Sequence, residues 1–150
     1  MDGSGGVSSK FYVQNREAHV TSITKFEDLI AWQEARALVK MVYKLTSEGT
    51  FAKDFGMRDQ IQRAAVSVMA NIAEGFDCES TAEFARFLGI ARRSAVEVQS
   101  LLYAAMDVEH VKQDVFRSHY EQAKKCKALI GGLKHGILKN PRRANSSSRS

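Results

Sequence analysis

The amino-acid sequence predicts an all-α protein, an antiparallel up-down-up-down four-helix bundle. Three observations predict it. Proline is nearly absent, with Pro141 alone near the end, so few obligatory breaks interrupt a helix. Apolar residues recur at steps of three and four over four separate stretches. β-branched residues do not gather into alternating runs, so strands are not expected. A chain of 150 residues with 44% apolar side chains suffices for one core.

Residues 1–24 read as a flexible tail, small and polar in MDGSGGVSS and without apolar period before Phe26. The bundle is expected over residues 25–139, followed by a disordered basic, serine-rich tail over 140–150. The first helix is expected from Glu27 to Leu45, with Leu29, Trp32, Ala35, Val39 and Val42 or Tyr43 on one face. Glu27 and Asp28 at its start and Lys44 at its end suit the helix dipole. The loop TSEGTFAKDFG, with two glycines, ends it. The second helix is expected from Met57 to Glu74, stopping at Gly75 as a C-terminal glycine. Ser80-Thr81-Ala82-Glu83 has the form of a capping box and opens a third helix that reaches Met106. The fourth runs from Lys112 towards Leu138, with Val115, His119, Ala123, Cys126, Ile130, Leu133 and Ile137 on its inner seam. Gly131 and Gly132 inside it cost roughly 1 kcal/mol each relative to alanine and imply fraying, a bend or very close packing.

The second helix is the most informative. Met57, Ile61, Ala64, Ala65, Val68 and Ile72 fall on one broad side, the core face. Gln60, Arg63, Ser67, Asn71 and Glu74 fall in a narrow polar stripe. Val66, Ala70 and Ala73 form a second apolar side. A surface helix needs only one apolar face, so this one is expected to be covered twice: by the bundle and by another subunit. With the following turn centred near Cys78, Ser67 is expected level with Gly89 and Asn71 with Ala85. The stripe Arg63, Ser67, Asn71, Glu74 has two readings. It is a ligand or nucleic-acid surface, or a satisfied network in which Glu74 or Glu97 meets arginines. The second is favoured, because buried polar groups must find partners.

The net charge is +5, and residues 101–150 carry all of the excess. Such an excess attracts polyanions through counterion release and steering. Lys124, Lys127 and Lys134 lie close on one side of the fourth helix. With Arg86, Arg92 and Arg93 on the third, and Arg142 and Arg143 in the tail, they are the candidate nucleic-acid-binding residues. Aromatic interleaving on the fourth helix is poor, so base stacking there is not expected. Cys78 and Cys126 are far apart and read as free thiols of a reducing compartment. The first 24 residues lack the apolar core of a signal peptide, and the longest charge-free helical stretch, Ala64 to Ala73, is too short to span a membrane; the expected location is the cytoplasm. No phosphate loop, metal-ligand spacing or acid–base–nucleophile constellation is found, so no catalytic residue, cofactor or metal is assigned.

Around the second helix the sequence becomes specific. Gln60-x-x-Arg63-Ala64-Ala65-Val66-Ser67, Asn71-Ile72-Ala73-Glu74-Gly75 and Glu83-Phe84-x-x-Phe87-Leu88-x-Ile90-Ala91-Arg92-x-Ser94 resemble the bacterial four-helix bundle proteins of the 23S rRNA intervening-sequence family. Phe26-Glu27-x-Leu29-x-x-Trp32-x-x-Ala35 resembles that family's opening. The resemblance covers residues 25–138. It implies a short antiparallel bundle, often a ring-shaped homopentamer, with no catalytic activity. More distantly it is similar to the basic accessory protein of diversity-generating retroelements, which binds nucleic acid and a reverse transcriptase. The expected function is therefore non-enzymatic association with RNA or DNA. The alternative is a protein-interaction scaffold, for a reverse transcriptase or another protein.

Overall fold

A computed structural model describes residues 11–14 and 20–141 of the chain, with side chains described from Ile23 onwards. Strands β1 (Phe11–Gln14) and β2 (Val20–Ile23) form a two-stranded antiparallel ribbon with Phe11 opposite Ile23. Four helices follow: α1 (Ile30–Thr46), α2 (Phe55–Asp77), α3 (Thr81–Asp107) and α4 (Gln113–Lys139). Each helix packs on its sequence neighbour, and α1 closes the ring against α4. This is the arrangement of an up-down bundle. The described residues include no helix long and apolar enough to cross a membrane.

The ribbon lies inside the stretch read from sequence as a tail. Its two strands, FYVQ and VTSI, are rich in the aromatic and β-branched types that favour extended backbone. They are too short to register as an alternating run, and β1 finds support on α4. There is room for it because α1 has 17 residues against the 27 of α4. The Glu34–Lys125 pair sets these helices in register so that the last turns of α4 run past the start of α1. Of the expected C-terminal tail, residues 142–150 lie outside the described residues.

Element boundaries differ from the sequence reading where the chain turns. Glu27 and Asp28 sit in a 3-10 turn, and α1 begins only at Ile30, because Leu29 adopts extended backbone and sinks into the core. Between α1 and α2, Gly49 takes a positive φ of 59°. Gly56 does not end a loop: it is the second residue of α2, which Asp54 caps by accepting from the Met57 amide. α2 runs through Gly75 to Asp77. Ser80 caps α3 as expected, its Oγ accepting from the Glu83 amide, while the Glu83 carboxylate turns to Arg86.

The core is one contiguous cluster. Leu38 and Val42 of α1, Ile61, Val68 and Ile72 of α2, Phe84, Leu88, Val98 and Leu102 of α3, and Ile130 of α4 are fully buried. Each such side chain contributes about 1.5–3 kcal/mol by leaving water, so this cluster is the main stabilising term. Phe51, from a 3-10 turn in the α1–α2 loop, plugs one end of the bundle. The expected seam of α4 holds: Ala123, Cys126, Ile130, Leu133 and Ile137 are buried, and Val115 and His119 are half-buried.

Candidate nucleic-acid interface

The polar stripe of α2 divides into two parts. Ser67 and Asn71 face α3 and are engaged. The hydroxyls of Ser67 and Ser94 are 2.8 Å apart, and Asn71 Nδ2 donates to both the carbonyl and the hydroxyl of Ser67 at 2.8 and 2.9 Å. Ser94 in turn donates to the carbonyl of Ile90. This is a closed stitch between helices, as the satisfied-network reading expects. Its register differs from expectation, since Ser67 meets Ser94 and not Gly89. The extra residues of α2 beyond Gly75 move the turn, and the pairing moves with it. Gly89 faces α4, where a Cβ built on it would lie 3.5 Å from Lys134 Nζ.

Arg63 and Glu74 are exposed and, among the described residues, form no ion pair. Glu97 meets Gln60 at 3.4 Å, not an arginine. Arg63 lines a shallow polar cleft between α2 and α3 with Asp59, Gln60, Ser67 and Glu97. On the other side of α2, Val66 is exposed and Ala70 and Ala73 are half-buried. Val66 joins Met69 and, from α1, Val39 and Tyr43 in an apolar dip edged by Arg36 and Lys40. The second apolar side of α2 is thus uncovered at Val66 and partly covered at Ala70 and Ala73 in a single chain.

The candidate cations lie along α3 and α4. Arg86 pairs with Glu83 at 3.3 Å and lies over the Phe87 ring. Arg92, Arg93, Lys124, Lys127 and Lys134 form no ion pair among the described residues. Lys127 and Lys134 are half-buried with their stems against the bundle, and Arg92, Arg93 and Lys124 are exposed. Lys125, by contrast, points to α1. It meets Glu34 Oε1 at 3.1 Å, while Gln122 donates to the other carboxylate oxygen at 2.8 Å. These two donors, the Gln122 bond first, hold the Glu34 carboxyl below its ordinary range against the opposing effect of burial. Arg142 and Arg143 lie outside the described residues.

An aromatic cluster spans α3 and α4. Tyr103 of α3 packs on Phe116 and Tyr120 of α4, with ring centroids 4.8 and 5.7 Å away. Phe116 and Tyr120 stack on each other at 5.4 Å. Aromatic interleaving is poor along α4 alone, but the packing of α3 supplies the missing ring. The four-residue step from Phe116 to Tyr120 was the one local signal of a ring pair.

Fold and surface together define a basic four-helix bundle protein with a cation-lined face and an uncovered apolar one. Residues 27–132 match the 23S rRNA-intervening sequence protein family, and the chain belongs to it. It is similar to a solved structure from Bacteroides thetaiotaomicron VPI-5482, described as a protein with unknown function from the S23 ribosomal protein family. The TM-score is 0.65 over 70% of this chain and 98% of that one, at 23% sequence identity. At that identity the likeness establishes the fold alone. No curated protein sequence matches the chain.

Proposed function

We propose that the protein is a non-enzymatic, oligomeric bundle that associates with RNA through the cations of α3 and α4. The observation that carries this reading is the set of cations on that face without a carboxylate partner among the described residues: Arg92, Arg93, Lys124, Lys127 and Lys134. Cations left unneutralised by the protein are available to phosphates, and releasing the counterions of a polyanion supplies the driving force. Membership of a family named for an rRNA intervening sequence accords with an RNA target. The uncovered side of α2, with Val66, Met69, Val39 and Tyr43, fits contact with further copies of the chain in a ring, which would multiply the basic face.

The test is fluorescence anisotropy of the full chain with a structured RNA at low and high salt. Binding at low salt that weakens steeply with added salt is expected. No binding at low salt, or binding indifferent to salt, would overturn the reading. A protein partner retained after nuclease treatment, without RNA binding, would point to an interaction scaffold.

A further inference from the structure

We infer that the Tyr103–Phe116–Tyr120 cluster is a stacking site for an unpaired base, at the end of a phosphate track formed by Arg92, Lys127 and Lys134. The inference rests on the proposed RNA association and narrows its target to single-stranded segments. Tyr120, Lys127 and Lys134 recur at seven-residue steps, so they share one stripe of α4. Two contacts fix that stripe against α3: Lys134 lies over Gly89, and Tyr120 meets Tyr103. Between these points Lys127 falls opposite Val96, and Arg92 lies one turn along α3 from Gly89. The cations and the rings therefore follow a single seam, roughly 20 Å long by helix rise.

The rings are built to receive something. Tyr103 is 48% exposed although it touches two other aromatics. Phe116 and Tyr120 hold it at interplanar angles of 56° and 75°, which fixes its plane. Neither tyrosine hydroxyl has a protein hydrogen-bond partner among the described residues. A pre-oriented, half-open ring on the same seam as the cations is the chemistry that binds unstacked bases, since every base has a π-face to offer. A duplex keeps its bases stacked on one another and could use only the lysines and arginine. Asp107, one turn beyond Tyr103 on α3, opposes phosphate there and marks the end of the track.

The experiment titrates the full chain against a fluorescein-labelled oligouridylate and an RNA duplex of equal length at low salt. The single strand is expected to bind more tightly. Tyr103→Leu keeps apolar packing but removes the ring. It should weaken single-strand binding about tenfold and leave duplex binding unchanged. Tyr103→Phe should bind the single strand as the wild type does. On wild-type protein, photo-crosslinking with 5-iodouracil RNA should map to the peptide carrying Tyr103 or to that carrying Tyr120. Equal affinity for both RNAs, an unaffected Tyr103→Leu, or crosslinks confined to other peptides would overturn the stacking site while leaving phosphate binding in place. A change in solution mass on Tyr103→Leu would assign the face to a second copy of the chain and overturn it too. Failure of both RNAs to bind would remove the RNA reading itself.

Discussion

Gly75 is where local pattern and tertiary structure part. After Glu74, a glycine followed by polar residues reads as a helix end, because glycine tolerates the left-handed conformation found there. In the fold it is buried within the last turn of α2, which continues to Asp77, and a Cβ at that position would lie 2.7 Å from Phe87 Cβ and 2.8 Å from Phe84 Cδ2. The missing side chain lets α2 and α3 approach beneath their connecting turn. Gly75→Ala is therefore expected to destabilise the bundle by about 1–3 kcal/mol in chemical denaturation. Gly132 is the control: a Cβ there meets nothing within 4 Å, so Gly132→Ala should gain up to about 1 kcal/mol from helix propensity. Equal effects of the two substitutions would refute the packing account. Cys126 shows a plainer fit between sequence and structure. Burial, reinforced by the Glu34 charge, pushes its thiol up to about 12, so it is protonated at neutral pH and serves as a small apolar filler.

At the scale of the element, the loops were the least legible part. Their key contact joins residues more than fifty positions apart, a span no local pattern reports. His110 Nε2 lies 2.8 Å from Asp54 Oδ2, its Nδ1 lies 2.8 Å from Thr50 Oγ1, and its ring stacks on Phe51. Glu109 makes this possible by taking a φ of 63°, the left-handed turn usually given to glycine, while the His110 amide donates to the Ala105 carbonyl at 2.8 Å. These three contacts of His110 clasp the α1–α2 loop to the α3–α4 loop. The hydrogen bond from His110, then that from the Met57 amide, holds the Asp54 carboxyl below its ordinary range. A depressed carboxyl contributes stability above its unfolded value and loses it as pH falls through the folded value. The gap in thermal midpoint between wild type and Asp54→Asn should thus be widest near neutrality and shrink as pH drops below about 4. A gap unchanged across that range would remove the clasp's electrostatic part. The helices themselves were legible because their apolar period is strong. Gly131 and Gly132 were ambiguous, and close packing is now set aside for both, with nothing near either position.

For the molecule as a whole, the bundle and its core faces could be read from spacing, since burial imposes the helical period on the sequence. The binding face could be read only in part. The cations were visible as charge, but their junction with Tyr103 depends on which helix neighbours which. The open side of α2 carries the whole-molecule prediction. Sedimentation should give a multiple of the chain mass, and Val66→Glu should lower that mass while leaving helical content intact. A monomer at micromolar concentration would end the ring proposal.

The order of the helices has a mechanical corollary. The chain enters α1 and leaves α4 at the same pole, and those two helices are neighbours. Tension applied across the two ends would load the α1–α4 seam like a zipper rather than in shear. Fasteners such as the Glu34–Lys125 pair and the His119–Met41 contact would open in succession, each bearing the strain alone. The fold should accordingly yield to modest pulling at its ends while resisting heat through the same core.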